Sequence, residues 1–237
     1  MQAEALAFAP ADALIRRAAA LIFDVDGTLA ETEELHRRAF NHAFARHGLD
    51  WQWDRVVYKD LLRVTGGKER MRTYHAGLGI APPLSDADIA ALHRIKTAHY
   101  AELVETGRCP LRPGVLELLA AAKARGQRLA IATTTSHGNI EALLSQALGT
   151  NWAAAFDAIV AGDDVRHKKP APDVYLETLA RLKLSAADCV AIEDSANGLI
   201  SASRAGIPVL ITRSMFFADE DFSAARYVLG DLSELAA

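Results

Sequence analysis

Short apolar runs in this chain stop abruptly at polar clusters. Ala20–Asp24 runs into DVDGT, Arg128–Thr133 (RLAIAT) ends in hydroxyls, Ala158–Ala161 (AIVA) meets GDD, and Cys189–Ile192 (CVAI) meets EDS. Pro208–Thr212 (PVLIT) and Tyr227–Leu229 extend the series. Runs of this length bounded by turn residues predict buried parallel strands. Between them, Val115–Arg125, Ile140–Leu148, Val174–Leu182 and Leu199–Ala205 carry helical spacing. Strand and helix in alternation predict a parallel sheet with right-handed crossovers and helices on both faces, an α/β, Rossmann-like core.

Residues 33–107 break that rhythm. Glu34–His47, Trp53–Leu62, Lys68–Tyr74 and Asp86–Glu105 read as helices, with no convincing strand among them. The expectation is a core of residues 1–32 and 108–237 with an all-helical cap inserted at 33–107. Hinges would lie near Ala30–Glu33 and Gly107–Pro113. Residues 1 to about 18 read as a loosely held extension ahead of the first strand. Trp51, Trp53 and Tyr58 read as cap interior.

Composition narrows the function classes. A chain of 237 residues that is 51% apolar and 24% charged has a globular balance and can bury a sizeable core. The formal charge of −4 and the lack of a basic stripe argue against nucleic acid as a partner. No apolar run approaches the ~20 residues of a membrane span. The N-terminus carries Glu4 and Asp12 and makes a poor signal peptide. Cys109 and Cys189 lie far apart and read as reduced thiols, which places the protein in the cytoplasm.

In an open parallel sheet the ligand site lies beyond the C-terminal strand ends. Four polar clusters fall there: Asp24/Asp26, Thr133–Ser136, Gly162–Asp164 and Glu193/Asp194. Carboxylates crowded together repel one another unless a cation joins them. Asp24, Asp194, Glu193 and a carbonyl near Asp26 would suit a hard oxygen-seeking ion, Mg²⁺, and the absence of His/Cys clusters argues against zinc. Gly27 allows a tight turn beside them. Thr133 and Thr134 stand at a strand–helix junction that can bind phosphate. Lys169, before Pro170, can neutralise phosphate charge. In the cap, Thr65-Gly66-Gly67-Lys68-Glu69-Arg70 runs from a loop into a helix. Its glycine amides with Lys68 and Arg70 suit a second anion. Each cluster alone reads as readily as a turn or helix cap.

Together these residues resemble the haloacid-dehalogenase-like phosphohydrolases, whose four motifs match DVDGT, Thr133, Lys169-Pro170 and Glu193-Asp194 in order. Within that superfamily, DVDGTLAETEELHRRAFN, TGGKER, ATTTS, KKPAPD and EDSANG resemble the CbbY-type sugar-bisphosphate phosphatases, related in their cap to β-phosphoglucomutase. The resemblance implies Mg²⁺-dependent removal of a phosphate from xylulose 1,5-bisphosphate, a by-product of Rubisco. Asp24 would be the nucleophile and Asp26 the acid and base. Glu31 would contact sugar hydroxyls, and His36 would couple cap closure to chemistry. The expected partner is a small phosphorylated sugar, with no membrane or nucleic acid, and the protein is expected to be a monomer. A phosphosugar mutase shares every motif. A phosphatase of sugar monophosphates, a dehalogenase and a non-catalytic sugar-phosphate binder are the other readings.

Overall fold

Six short strands lie side by side in the computed structural model, which describes residues 10–107 and 109–235. They are β1 (Ala20–Phe23), β2 (Arg128–Ala132), β3 (Ala158–Val160), β4 (Cys189–Glu193), β5 (Val209–Thr212) and β6 (Tyr227–Leu229). All pairings are parallel, in the order β3-β2-β1-β4-β5-β6. The central strands are buried on both faces, which is why their sequences are apolar without alternation. The chain moves outward from β1 through β2 to β3, then crosses back to β4 and proceeds the other way. The crevice where the direction reverses lies between β1 and β4, where such sheets bind ligands. Asp24 follows β1 and Asp194 follows β4, so topology alone brings the two together.

The helices are α1 (Pro10–Arg17), α2 (Glu33–Arg46), α3 (Arg55–Leu61), α4 (Gly67–Gly77), α5 (Asp86–Gly107), α6 (Val115–Ala124), α7 (His137–Leu148), α8 (Asp173–Leu182) and α9 (Ala196–Arg204). Between β1 and α6 the described residues form helices α2–α5 and no strand. In α2 the buried positions Glu33, His36, Phe40, Ala43 and Phe44 follow helical spacing. Phe44 meets Trp53 edge-on at 4.7 Å, and Trp51 meets Tyr74 in the same way at 5.2 Å. The two tryptophans therefore sit inside the helical part, as the sequence suggests. α3 begins later than its apolar pattern implies, because the Asp54 carboxylate accepts from the Val57 N–H at 2.8 Å and caps the helix there.

Residues 10–17 correct the reading of an extension. They form α1, whose Ala11 and Ile15 are buried in the same apolar cluster as Leu21 and Phe23. The helix ends where the Gln127 amide donates to the carbonyls of Ile15 and Ala18, at 2.8 and 2.6 Å. The remainder of that extension, residues 1–9, and Arg108 of the second expected hinge lie outside the described residues.

Candidate active site

The site starts with a turn. The Asp24 N–H still pairs with the Ile192 carbonyl at 3.0 Å, after which the chain leaves the sheet. Gly27 adopts φ +84°, and a Cβ there would stand 1.9 Å from Asp194 Oδ2, so the turn needs glycine on both counts. The turn sends the two aspartates different ways. Asp24 Oδ1 accepts from Lys169 Nζ at 2.6 Å. Asp26 Oδ1 accepts from the Thr32 hydroxyl at 2.6 Å and lies 2.9 Å from His36 Nε2.

Lys169 is buried and donates three bonds: to Asp24, to Glu193 Oε1 at 2.6 Å and to the Ala132 carbonyl at 2.9 Å. Burial disfavours its charge, but the two carboxylates outweigh it and raise the ammonium above its ordinary range. Glu193 is fully buried and also accepts from the Tyr175 hydroxyl at 2.6 Å. Asp194 Oδ1 accepts from Thr28 at 3.3 Å, while its Oδ2 has no partner. Asp24, Glu193 and Asp194 each place an oxygen within 4.8 Å of the others. Burial, with repulsion from Glu193 and Asp26, lifts Asp24 to about 7 despite Lys169. Burial, Asp24 and Glu193 push Asp194 well above the carboxylate range. An all-oxygen set with one orphaned buried oxygen fits a hard divalent cation such as Mg²⁺ and lacks the sulfur and nitrogen donors zinc prefers. The Asp26 carboxylate is outside this trio, because it faces His36.

Across the crevice, Thr133 Oγ1 accepts from the Thr135 N–H at 3.3 Å, and Gly162 packs so closely that a Cβ would fall 2.2 Å from the Thr134 carbonyl oxygen. From the helical part, Arg70 is buried over the Phe40 and Tyr58 rings and donates to the Leu61 and Val64 carbonyls. Gly66 holds φ +91°, and the Thr65 hydroxyl donates to the Lys169 carbonyl, tying this loop to the loop that carries Lys169.

One cleft gathers Asp24, Asp26, His36, Thr65, Gly66, Gly67, Arg70, Thr133, Thr134, Lys169 and Asp194. Glu193 sits behind it. Two residues expected at the cleft are elsewhere. Glu31 turns outward, where the Met215 N–H donates to its carboxylate at 3.2 Å and Arg112 Nε lies 3.4 Å away. Lys68 faces a smaller side pocket and pairs with Asp163 at 3.3 Å.

The sequence reading missed several polar residues that line the cleft, among them Glu33, His93 and Lys96. Lys96 Nζ donates to His36 Nδ1 at 2.8 Å, which leaves the Nε2 proton of His36 for Asp26. Burial lowers Lys96 to about 8. Burial would raise Asp26, but His36, Thr32 and Lys96 hold it below the usual carboxylate range. A signal was available: Ile89, Leu92, Tyr100 and Leu103 form the buried stripe of α5, and Lys96 falls on it. A lysine on an apolar stripe needs a partner or a task.

A family model for haloacid dehalogenase-like hydrolases matches residues 18–206. The chain belongs to this family. Among its relatives, Protein CbbY of Rhodobacter capsulatus is 54% identical over 92% of this chain and 95% of its own length. The plasmid-encoded Protein CbbY of Cupriavidus necator is 51% identical over 92% of this chain and 87% of its own. The structure of CbbY from Rhodobacter sphaeroides in complex with phosphate superposes with a TM-score of 0.86 at 45% identity, covering 92% of this chain and 96% of that one. A mutant of that CbbY, in complex with xylulose-(1,5)bisphosphate, superposes at 0.87 and 44% identity, with the same coverage. In this hydrolase Asp24, Thr133, Lys169 and Asp194 come together in the cleft at the crevice between β1 and β4.

Proposed function

We propose that this hydrolase is a phosphatase that takes one phosphate from xylulose 1,5-bisphosphate, with Asp24 as nucleophile. One observation carries the reading. The Asp24 carboxylate stands buried at the sheet's switch point, held by Lys169, in a cleft whose opposite wall offers the buried cation Arg70. The likeness to the CbbY bound to xylulose-(1,5)bisphosphate supports the choice of sugar.

Asp24 attacks phosphorus, and the bond from phosphorus to the sugar oxygen breaks as an aspartyl-phosphate forms. The leaving oxygen takes a proton from the Asp26–His36 pair. In this step Asp26 passes from the carboxylic acid to the carboxylate form that the Thr32 hydroxyl and His36 Nε2 hold here. A water then gives a proton to Asp26 and attacks the same phosphorus, which frees phosphate and restores the Asp24 carboxylate. Lys169 offsets charge on the phosphoryl oxygens, and Thr133 with the Thr134 N–H holds them. Mg²⁺, held by Asp24 and Asp194 with Glu193 and the Asp26 carbonyl, would supply further positive charge there. Arg70 and the amides of Gly66 and Gly67 would seat the second phosphate. Residues 33–107 act as a cap on a core of residues 18–32 and 108–237, with α1 packed on the core.

The two cysteines are free and buried, and no helix among the described residues is long and apolar enough to cross a membrane. The free cysteines support an enzyme of a reducing compartment such as the cytoplasm, and we read it as a monomer. The test is a phosphate-release panel over xylulose 1,5-bisphosphate, ribulose 1,5-bisphosphate and hexose 1-phosphates, with Mg²⁺ and with EDTA. The expected outcome is the highest kcat/KM on xylulose 1,5-bisphosphate and no turnover in EDTA. Isomerised hexose phosphate without free phosphate would overturn the reading in favour of a mutase.

A further inference from the structure

Arg112 stands where the chain returns from the inserted helices, between α5 and α6, and it is buried. Its guanidinium is spent mostly on carbonyls. Nη1 donates to the Gly27 carbonyl, and to Thr212 Oγ1 at 3.1 Å. Nη2 donates to the Arg213 carbonyl, and to the Gly230 carbonyl at 2.9 Å. Nε lies 3.4 Å from Glu31 Oε1. The Arg112 N–H donates to the Leu29 carbonyl at 2.8 Å.

The partners lie on different strands. Thr212 ends β5, Arg213 follows it, and Gly230 follows β6. Gly27 belongs to the turn after β1 that carries Asp24 and Asp26. In the sheet β4 lies between β1 and β5, so Arg112 ties this turn to the far strands across the end of β4, where Asp194 stands. A guanidinium is planar and its donors form a rigid fork, so acceptors held together are fixed in orientation as well as distance. The Gly27 carbonyl shares a planar peptide with the Thr28 N–H, and the Thr28 hydroxyl donates to Asp194 at 3.3 Å. Glu31 extends the anchor. It lies between the turn and α2, so its contact with Arg112 joins the outgoing connection to the returning one.

We propose that Arg112 is a positioning residue for phosphoryl transfer. Through the Gly27 carbonyl it holds the Asp24–Thr28 turn in register with Asp194, and through Glu31 it fixes the entry to the inserted helices at the same point. This rests on Asp24 and Asp26 carrying out the chemistry. A displacement of about 1 Å in a reacting group costs about 100-fold in rate.

The experiment assays Arg112→Lys, Arg112→Met, Glu31→Gln and the double variant Arg112→Met/Glu31→Gln for phosphate release from xylulose 1,5-bisphosphate with Mg²⁺. One temperature is used, well below the lowest Tm of the set, so that unfolding removes no active enzyme. Lysine keeps the charge and loses the fork. Both Arg112 variants are therefore expected to lose about 10- to 100-fold in kcat, with KM moved by less than about threefold. Equal falls in kcat and kcat/KM mark lost alignment in the transition state and not lost substrate binding. Glu31→Gln is expected to lower kcat by about two- to fivefold and to cost nothing further in Arg112→Met, because the pair acts as a unit. A kcat within about twofold of wild type in both folded Arg112 variants would overturn the proposal. So would a rise in KM that accounts for the loss, or the failure of both Arg112 variants to fold, which would make the residue structural. Losses that multiply in the double variant would overturn the arm through Glu31. Full turnover in Asp24→Asn would overturn instead the reading of the chemistry on which the proposal rests.

Discussion

Asp24→Asn keeps the shape of the nucleophile and removes its negative charge. Turnover is expected to fall by about three orders of magnitude or more, because no other carboxylate is placed to attack. The fold should survive: Lys169 keeps Glu193 and the Ala132 carbonyl, and one of three crowded acids is neutralised. Phosphate release alongside far-UV circular dichroism checks both halves, and more than a trace of turnover in a folded variant would remove Asp24 from its role. Gly162→Ala probes the opposite wall. Its new Cβ would stand 2.2 Å from the Thr134 carbonyl oxygen, and backbone cannot yield as a flexible side chain can. A loss of about 1–3 kcal/mol in urea unfolding is expected, with lower kcat/KM as the Thr133–Ser136 loop shifts. At this scale the sequence was informative where chemistry sits at strand ends. Asp24, Thr133 and Asp194 could be named because each is the polar residue that directly follows a buried strand, whereas Lys169 was named from the lysine–proline pair in the loop after β3. The outward turn of Glu31 was not legible, since its partners Arg112 and Met215 lie far along the chain and meet it only through the fold.

Among the elements, α5 shows what a helical pattern conceals. Its apolar stripe announces a buried face but not what that face meets. Lys96 reaches His36, and His93, one turn earlier, faces the cleft and its side pocket. Burial pushes the His93 imidazole down to about 4, and Lys96, Lys68 and His36 add to the fall, with Asp163 opposing them. In the unfolded chain a histidine titrates near 6.5. Between those values the unfolded state binds the proton and the native state does not, so stability rises with pH across this window. As pH falls from about 6.5 to about 4, the protein is expected to lose about 2 kcal/mol through this group, a value reduced for its partial exposure. Urea midpoints at pH 7 and pH 4 measure the loss, and His93→Gln should remove most of it. If the variant keeps the full acid sensitivity, the proton is bound elsewhere. Glu33 escaped notice for a different reason: the sequence reading began the helix at Glu34 and left Glu33 in a hinge, one residue short of the buried face of α2.

For the whole molecule, the alternation of strands and helices made the sheet predictable, and the break at residue 33 made the helical insertion predictable. How tightly the two parts are joined was not. One apolar cluster runs from Phe40, Trp53 and Tyr58 to Ile22 and Ala191 of the sheet, and another from Ala39, Tyr100 and Val104 to Leu21 and Phe23. Tyr58 meets Phe216 edge-on at 5.9 Å, and Asn197 donates to the Arg63 carbonyl at 3.2 Å. The Lys59–Asp219 pair adds little, because both partners are exposed and screened. Helices that bury their inner faces against the sheet lose that burial if the sheet melts, so the parts should unfold together. The tryptophans allow a direct reading. Trp51 and Trp53 lie among the inserted helices and Trp152 beside the sheet, all of them buried. In Trp152→Phe, fluorescence reports only on the helical part while far-UV dichroism reports on the whole chain. The two urea midpoints are expected to coincide within about 0.2 M, as one cooperative transition requires. A fluorescence midpoint clearly below the dichroism midpoint would mean that the helices detach and melt first. The shared apolar clusters would then be a contact surface and not a common core.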